Sequence, residues 1–371
     1  MVATMEHLVA WYGEHYIPPD SPPPREPERE KPPAPPPAPE RKPPPKKAFG
    51  HAIVLGRFDP LHRGHLLLVD TARSLAARTT IVVRTQPADS VAGATRLAWC
   101  RELADAVELA CAPPAAARDD VAFWAHWARE VRALAPTAEA LVSSDREAWR
   151  LADVLGVAFV LIDPDRLAVP ISASQLRGDP HAAWDYLAPA ARAHLATRVC
   201  LLGPEGSGKT TLARALAEAL ATVWVPEQAR VVAERRRGTL RPADLVPLAD
   251  AQAAVEHALA RQANRVVVCD TDARSLALWA ERLHGSCPPG LAARAHACRP
   301  DLYVLAEPLP LASADAAART AFARRCREVI AASGVPWIVA GGGVEQRVRT
   351  VLTALERIRR PARAPEPPAR A

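Results

Sequence analysis

Lysine is almost absent from the greater part of this chain. Residues 48–371 contain a single lysine, Lys209, although arginine is abundant throughout the same segment. A compact ammonium on a flexible stem and a planar guanidinium are not interchangeable where a ligand must be reached. The one position at which lysine is kept therefore marks Lys209 as a candidate functional residue.

Several other patterns are missing, and each absence removes a class of protein. There is no run of 18 apolar residues and no secretory leader, so we expect neither a membrane span nor export. The net charge of +6 is not gathered in a basic patch, because residues 1–48 carry seven basic and seven acidic side chains, and binding to nucleic acid is not indicated. The seven cysteines form no C-x-x-C pair, which is typical of reduced thiols and predicts a cytoplasmic protein.

Lys209 lies in the loop GPEGSGKTT, between a short apolar run and a segment with helical spacing. A loop of the form G-x-x-x-x-G-K-T lets backbone N–H groups surround phosphate oxygens at the start of a helix. We expect Lys209 to reach the β/γ-phosphates of ATP and Thr210 to hold Mg²⁺; a plain glycine-rich turn is the alternative. The predicted ATP-binding residues of this loop are Gly203, Gly206, Ser207, Gly208, Lys209, Thr210 and Thr211.

Proline dominates one segment near the start of the sequence. Fifteen of the 28 residues 18–45 are proline, which removes backbone donors and prevents a packed core. We expect an extended spacer here, and a docking sequence for a partner is the alternative. The predicted division of the chain is residues 1–47 as a largely disordered tail, 48–192 as a first domain, 193–358 as a second domain and 359–371 as a flexible tail.

Apolar runs alternate with helical segments in both predicted domains, which favours an α/β fold with two doubly wound parallel sheets and ligands at the carboxyl ends of the strands. Strands are predicted at 51–55, 80–84, 140–144, 158–162, 199–202 and 337–340, and helices at 96–109, 121–134, 212–220 and 244–263.

The loop after the first predicted strand carries a second candidate site for phosphate. It reads G-x-F-x-P-x-H-x-G-H, with the candidate ATP-binding residues Gly56, Phe58, His62, Gly64 and His65. Two histidines at a helix N-terminus place imidazole donors beside backbone amides that face an anion. A zinc pair is the alternative, but neither a carboxylate nor a cysteine follows at ligand spacing.

The first domain closes with VPISASQLRGDP, where a helix is expected to begin. Ser172 and Ser174 are placed to cap its open amides, and Arg177, expected on the first turn, is suited to grip phosphate with two N–H groups. An ordinary cap with a surface arginine is the alternative. Combined with the histidine loop, this segment predicts a second part of one phosphate clamp.

Two acidic residues, Asp270 and Asp272, follow a buried apolar run in the second domain. At the end of a strand beside a phosphate loop, such side chains are placed for Mg²⁺ or for taking a proton from a substrate hydroxyl. A capping role at the next helix is the alternative for one of the two.

These motifs resemble the NadR-type bifunctional proteins, which join a nicotinamide mononucleotide adenylyltransferase to a ribosylnicotinamide kinase. The resemblance rests on G-x-F-x-P-L-H-x-G-H, on I-S-x-S-x-x-R with D-P-x-x-x-W-x-Y behind it, and on the phosphate loop about twenty residues later; it runs from about residue 50 to 358. It implies that His62 and His65 contact the ATP phosphates and that Ser174 and Arg177 hold the β/γ-phosphates. Enterobacterial members also begin with a DNA-binding domain, and repressor function is not expected for this chain.

In the second domain the resemblance assigns Glu227 and Arg230, an E-x-x-R segment, to the substrate. The family's W-x-x-D-G-x-R element is missing after Glu307, although Arg319 and Phe322 match a later R-x-x-F. Arg319 is therefore the candidate lid residue over ATP, and the departure bears on kinase turnover more than on nucleotide binding.

The resemblance implies an NAD salvage enzyme that uses ATP and Mg²⁺ to phosphorylate nicotinamide riboside and then to adenylylate nicotinamide mononucleotide. Trp99 and Trp124 offer candidate stacking faces for the substrate ring. Two alternatives stay open: a similar fusion acting on another phosphorylated substrate, and a nucleotide-sensing regulator or scaffold with an inactive kinase half. Also open are the choice between amide and acid forms of the substrate, a homo-oligomer, and a partner for the proline-rich tail.

Overall fold

The computed structural model describes residues 47–86, 89–110, 118–235, 240–309 and 316–359. The predicted tails therefore lie outside the described residues, apart from Lys47 at one end and Arg359 at the other. Within the described residues there are two five-stranded sheets, and every pairing between their strands is parallel. The predicted fold class is confirmed.

The first sheet has the strand order β3-β2-β1-β4-β5. Because the strands are parallel, their carboxyl ends meet at one edge, and the order reverses direction between β1 and β4, where ligands bind in open α/β sheets. The strands are β1 Phe49–Gly56, β2 Ala76–Thr85, β3 Asp105–Ala110, β4 Ala140–Ser143 and β5 Ala158–Leu161. The helices are α1 Arg63–Leu75, α2 Gly93–Arg101, α3 Val121–Leu134, α4 Trp149–Leu155, α5 Ala173–Gly178 and α6 Pro189–Leu195, with 3₁₀ turns at Arg146–Ala148 and Trp184–Tyr186.

One predicted helix of this domain is wrong. Residues 96–109 are not one helix, because α2 ends at Arg101 and the chain continues into β3, which pairs with β2. The alanine, leucine and glutamate residues of this segment favour a helix by propensity alone. Pairing along the edge of the sheet overrides that local preference.

Side chains of neighbouring strand residues point to opposite faces of the first sheet, which builds two cores. Ala52 and Val54 pack in one buried cluster, and Ile53 packs with Trp124 and Trp127 of α3 in the other. The first of these clusters continues through the alanines of α6 into the second domain.

The second sheet has the strand order β10-β9-β6-β8-β7. Its strands are β6 Thr197–Leu202, β7 Trp224–Val225, β8 Val266–Cys269, β9 Leu302–Ala306 and β10 Trp337–Ala340. Its helices are α7 Lys209–Ala219, α8 Gln228–Arg235, α9 Pro242–Ala260, α10 Ala273–His284, α11 Pro289–Ala297, α12 Ala316–Ala331 and α13 Val344–Arg359.

The two sheets are joined by a buried contact as well as by the chain. The indole Nε1 of Trp184, 1% exposed, donates to the carbonyl oxygen of Ala263 at 2.7 Å. Arg265 Nε donates to the carbonyl oxygen of His181 at 2.8 Å. Helix α6 spans residues 192 and 193, the point at which the sequence divides the two domains.

A search of the described residues for a helix with the length and apolarity to cross a bilayer finds none.

Candidate active sites

The loop between β6 and α7 has the backbone that its glycines permit. Gly203, Gly206 and Gly208 have positive φ values of 146°, 66° and 80°, in the region that side chains disfavour. A Cβ at Gly203 would lie 2.6 Å from the carbonyl oxygen of Ala306 at the end of β9, so only glycine fits there. Gly208 caps α7 without a side-chain bond, which leaves the first amides of the helix available to an anion.

Lys209 is held inside this loop. Its side chain is 6% exposed, and Nζ donates to the carbonyl oxygens of Gly203 and Pro204, each at 3.1 Å. Burial lowers the pKa of Lys209, and the carboxylates of Glu227 and Asp270 oppose that effect. The ammonium therefore lies among neutral carbonyl acceptors, which a phosphate oxygen can replace.

Four side chains next to the loop form one network. The Thr210 hydroxyl donates to the carboxylate of Asp270. Arg230 donates to Thr210 Oγ1 at 2.9 Å and pairs with Glu227 at 3.1 Å. Burial raises the pKa of Asp270 and of Glu227, while the nearby cations act in the opposite direction. The predicted residues Thr210, Glu227, Arg230 and Asp270 are therefore brought together.

The residues around Thr210 fit a Mg²⁺ ion. Oδ1 of Asp270 and Oγ of Ser207 are buried and have no hydrogen-bond partner within the described residues. Mg²⁺ is usually bound by one or two protein oxygens together with substrate phosphates and water. In the part of the chain that the structure describes, no group of three or more His, Cys, Asp or Glu side chains could form a self-sufficient metal cage.

Asp272 has the capping role that was its alternative interpretation, and a catalytic role for this residue stays a prediction. Its Oδ1 accepts from the Ser275 amide at 2.9 Å as the N-cap of α10, and its Oδ2 accepts from the Tyr303 hydroxyl at 2.7 Å. Both oxygens are engaged, so the capping alternative holds for this residue. Thr271, which separates the two aspartates, has φ of 135°, and such strain is characteristic of functional sites.

A small cavity lies beside this network. Gln252 of α9 accepts from the Gln228 amide at 2.9 Å and donates to the carbonyl oxygen of Thr271 at 3.4 Å, which ties α9 to the end of β8. Glu227, Leu248 and Asp272 also line the cavity. Its walls combine apolar and acidic side chains, and it has room for about one water molecule.

Arg347 is a site residue that the sequence analysis missed. From α13 it donates to the carbonyl oxygens of Ser207 at 2.6 Å, Glu307 at 3.1 Å and Gly342 at 2.9 Å. Because C=O and N–H of a trans peptide point in opposite directions, a Ser207 carbonyl fixed towards Arg347 turns the Gly208 N–H away from it, towards the interior of the loop. No local motif identifies this residue, since it lies 140 positions after Ser207.

Arg319, the candidate lid residue, lies on α12 and is 8% exposed. Its Nη2 donates to the carbonyl oxygen of Leu309 at 3.5 Å, and Leu309 lies 3.7 Å from the position of a Cβ on Gly208. Phe322 of the same helix packs on Trp279 with ring centroids 4.6 Å apart. Residues 310–315, where the lid departs from the family pattern, lie outside the described residues, and the ATP contact of Arg319 stays a prediction.

The first-domain site is built on the loop from β1 to α1. His62 is the N-cap of α1, and its Nδ1 accepts from the Gly64 amide at 3.1 Å. Nδ1 of His65 accepts from the His62 amide at 3.3 Å, and the two rings lie 3.8 Å apart. Since both Nδ1 atoms accept, the neutral rings carry their hydrogen on Nε2.

Burial keeps both imidazoles neutral. It lowers the pKa of His62 to about 4, with a smaller contribution from the charge of Arg166. Burial likewise lowers the pKa of His65 well below its usual range, and His62 adds to the effect. The two rings are therefore hydrogen-bond donors without charge.

Helix α5 brings the second part of the clamp to the same place. Arg177 donates to the carbonyl oxygen of Asp59 at 2.7 Å and to Ser174 Oγ at 3.0 Å, which joins α5 to the histidine loop. Arg177 lies in the last turn of this short helix, not in its first. Ser172 caps the helix and accepts from the Gln175 amide at 3.2 Å, which engages that hydroxyl in structure.

Three apolar or small residues of the loop hold the histidines in place. The Phe58 ring is 1% exposed and lies 4.8 Å from the His65 ring. A Cβ on Gly56 would lie 3.2 Å from that phenyl ring, and one on Gly64 would lie 2.9 Å from the His62 ring. These positions support the imidazoles by packing.

The structure corrects the prediction that Trp99 and Trp124 provide stacking faces. Trp99 is 6% exposed and packs edge-on against His194, 5.5 Å away. Trp124 is 5% exposed, and its Nε1 donates to the carbonyl oxygen of Arg118 at 2.7 Å. Both indoles are core residues, because the area that large rings bury favours the interior over the substrate pocket.

Two known families match this chain, one in the part that forms each sheet. Residues 53–178 match the cytidylyltransferase-like family, and residues 198–347 match the AAA domain family. The first range contains the histidine loop and Arg177, and the second contains the phosphate loop, Asp270 and Arg347.

Two curated relatives align across both domains. The trifunctional NAD biosynthesis/regulator protein NadR of Salmonella typhimurium is 25% identical over 287 residues, which cover 71% of this chain and 70% of that protein. Its counterpart from Escherichia coli is 27% identical over 288 residues, covering 71% and 69%.

Two crystal structures share the fold at 20% sequence identity. They are a NadR protein in complex with NAD and AMP-PNP, with a TM-score of 0.63, and a NadR protein in complex with NR, with a TM-score of 0.64. Each alignment covers 84% of this chain and 97% of the other. The resemblance to the NadR-type proteins is therefore confirmed, in sequence and in fold, for the two domains of this chain.

Proposed function

We propose that this chain is a bifunctional NAD salvage enzyme. The second domain phosphorylates nicotinamide riboside with ATP, and the first transfers an adenylyl group from a second ATP to the resulting mononucleotide, giving NAD and pyrophosphate. The observation that carries the proposal is the pairing of two different phosphate sites in one chain. One is a clamp of neutral histidines with an arginine, and the other is a backbone cradle with a buried lysine beside carboxylates.

The relatives support the choice of substrate. The aligned proteins of S. typhimurium and E. coli are named for NAD biosynthesis, and the NadR crystal structures hold nicotinamide riboside in one case and NAD with AMP-PNP in the other. A chain with both arrangements of residues fits the same pair of reactions.

In the second domain the phosphate loop binds the triphosphate through its amides, and Lys209 leaves its two carbonyl acceptors to bind the transferring phosphoryl group. Thr210 and Asp270 would hold Mg²⁺, which when bound supplies positive charge to the phosphate oxygens. Glu227, which lines the cavity, is placed to orient the 5′-hydroxyl of the riboside and to take its proton, since burial raises its pKa. Arg230 connects Glu227 to Thr210, and Thr210 in turn donates to Asp270.

In the first domain no proton needs to be removed, because the attacking phosphate of the mononucleotide is already an anion. His62 and His65 donate from Nε2 to the triphosphate, and Arg177 with Ser174 holds the departing pyrophosphate. Catalysis here is positioning and stabilisation of developing negative charge, without a covalent intermediate.

The cytoplasm is the compartment that fits this role. The six cysteines within the described residues are all unpaired, and four of them are buried. ATP and the pyridine nucleotides are the partners that the two sites can bind, and a homo-oligomer or a partner for the proline-rich tail stays a prediction.

A product assay tests the proposal. The full chain with ATP and Mg²⁺ receives nicotinamide riboside in one reaction and the mononucleotide in another, and products are identified by mass spectrometry. We expect NAD in both. NAD from the mononucleotide alone would contradict the kinase assignment, and product in neither would overturn the substrate assignment of both domains.

A further inference from the structure

The side chain of Tyr303, on β9, lies between an acidic and a basic side chain in the interior of the second domain. Tyr303 is fully buried, and its hydroxyl donates to Asp272 Oδ2 at 2.7 Å. The same hydroxyl accepts from Arg274 Nε at 3.0 Å, and Arg274 Nη2 donates to the carbonyl oxygen of Cys298 at 3.2 Å. One phenol therefore joins a buried carboxylate to a buried guanidinium.

The hydroxyl of Tyr303 is needed for both of these bonds. A phenol has one hydrogen to donate and lone pairs with which to accept. Burial, together with the charge of Asp272, raises the pKa of Tyr303, so the hydroxyl keeps the hydrogen that it donates. A phenyl ring of the same size would leave Asp272 and Arg274 each with one partner fewer, which is costly for charged groups in the interior.

The residue before Asp272 has a strained backbone. Thr271 has φ of 135°, in a region that β-branched residues avoid, and it separates Asp270 from Asp272. Such a conformation persists only where the contacts on either side hold it. On one side, the Asp270 amide donates to the carbonyl oxygen of Val225 at 2.9 Å. On the other side, Asp272 caps α10 and accepts from Tyr303.

The turn of residues 270–272 directs the Asp270 carboxylate towards the phosphate loop. Asp270 is buried, and its Oδ2 accepts from the Thr210 hydroxyl. Gln252 donates to the carbonyl oxygen of Thr271 at 3.4 Å, a long hydrogen bond that holds the middle of the turn only weakly. A loss of contacts at the far end of the turn would therefore let Thr271 relax, and the Asp270 carboxylate would move with it.

On the basis of the proposed kinase reaction, we propose that Tyr303 is a positioning residue of the second-domain site. Its hydroxyl holds Asp272, the strained turn is thereby kept, and the Asp270 carboxylate stays directed at Thr210. ATP is bound by the phosphate loop and Lys209, so Tyr303 acts on the rate of phosphoryl transfer rather than on the affinity for ATP. A displacement of about 1 Å at a reacting site can lower the rate by about a hundredfold.

The test compares Tyr303→Phe with the wild-type full chain, each given nicotinamide riboside, ATP and Mg²⁺. The kinase rate is the sum of mononucleotide and NAD formed, measured by mass spectrometry. We expect kcat to fall by about tenfold to a hundredfold, with the KM for ATP within about threefold and adenylyl transfer to the mononucleotide within about twofold. Arg274→Met leaves the bond between Tyr303 and Asp272 in place, and it should lower kcat by less, again without a change in KM. If Tyr303→Phe does not fold, Arg274→Met provides the same comparison.

Thr222→Val is the matched control. Thr222 Oγ1 donates to the carbonyl oxygen of Val266 at 2.5 Å and accepts from the Asn264 amide at 2.9 Å, so this variant loses a bridging hydroxyl at the opposite end of β8. The control should lose stability in urea unfolding and keep the kinase kcat. Hydrogen exchange adds a measurement that does not depend on turnover. The amides of residues 270–275 should exchange faster in Tyr303→Phe and at the wild-type rate in the control.

Three results overturn the inference and leave the proposed function intact. They are a kcat of Tyr303→Phe equal to that of the wild type, a kcat lowered as much by Thr222→Val, and a raised KM for ATP with kcat unchanged. A wild type that forms no mononucleotide from the riboside would instead contradict the proposed kinase reaction itself.

Discussion

The two phosphate sites of this chain use different donors, mainly side chains in the first domain and mainly backbone amides in the second. The first-domain site draws its donors from side chains on distant segments, with two neutral imidazoles after β1 and Arg177 from α5. The second-domain site is mostly backbone, with one buried ammonium and two carboxylates around it, of which Asp270 is buried and Glu227 is partly buried. In our account both sites bind ATP, so the difference in their side chains reflects the second substrate of each site.

A phosphate nucleophile is already ionised, and carboxylates beside it would repel it. An alcohol must lose a proton, and Glu227, with a pKa raised by burial, is suited to that step. The difference between the sites therefore indicates that the charge of the nucleophile, rather than that of ATP, determines which side chains lie around the reacting atoms.

Loss of Lys209 should give the largest separation of the two activities. Lys209→Ala removes the ammonium from the cradle, and the kinase rate should fall by about 10²–10³-fold while adenylyl transfer stays within about twofold. Formation of NAD from the riboside and from the mononucleotide measures the two rates. Lys47→Ala is the control, since Lys47 lies on the surface, where it donates to the carbonyl oxygens of Arg73 and Ser74. A parallel loss of both activities in a folded variant would refute separate sites.

The converse change is Arg177→Ala. It removes the arginine that joins α5 to the histidine loop, and adenylyl transfer should fall by about a hundredfold with the kinase rate unchanged. Arg73→Ala, with a side chain 57% exposed on α1, provides the comparison. An unchanged rate of NAD formation from the mononucleotide would exclude Arg177 from the clamp.

The neutral histidines predict a contribution of His62 to acid sensitivity. In the folded protein His62 stays uncharged down to about pH 4, whereas the unfolded chain takes up that proton near pH 6.5. The unfolded state therefore binds more protons between these values, and the free energy of unfolding falls as the pH falls. Between pH 7.5 and 5 this group lowers the free energy of unfolding of the wild type by about 2 kcal/mol. Over the same range the free energy of unfolding of His62→Gln should therefore fall by about 2 kcal/mol less than that of the wild type.

Urea unfolding at the two pH values measures this difference, with the exposed His296→Gln as control. Equal losses in the wild type and His62→Gln would show that the imidazole is not held neutral by the fold.

The smallest effect is expected at Arg347. Arg347→Met releases three carbonyl oxygens, including that of Ser207, and loosens the cradle without touching ATP. The KM for ATP of the kinase should rise by about tenfold, with a smaller change in kcat, and adenylyl transfer should not change. Arg349→Met changes an exposed arginine of the same helix and should leave KM as it is. A fall in kcat alone would argue against positioning of the loop.

The parts of the sites that sequence predicts are those encoded within a few residues. The phosphate loop needs three glycines with positive φ, and the histidine loop needs Gly64 beside the His62 ring, so both carry fixed local patterns. The alternation of strands and helices likewise follows from local apolar periodicity, and it gives the correct fold class.

What the sequence could not predict depends on residues far apart in the chain. Arg347 and Ser207 meet only once α13 packs against the loop. The contacts of Asp272 and Trp124 could not be predicted, because each partner, the Tyr303 hydroxyl or the carbonyl oxygen of Arg118, lies outside any recognisable motif. The strand β3 was missed because its pairing with β2, rather than its own composition, makes it a strand.

The central claim, two complete sites that work in sequence, is tested most directly by mixing two inactive variants. Lys209→Ala and Arg177→Ala are each given nicotinamide riboside, ATP and Mg²⁺, alone and together, and NAD is followed by mass spectrometry. The account predicts little NAD from either variant and NAD from the mixture, because one variant makes the mononucleotide and the other consumes it. A mixture that forms no more NAD than its components would contradict the account.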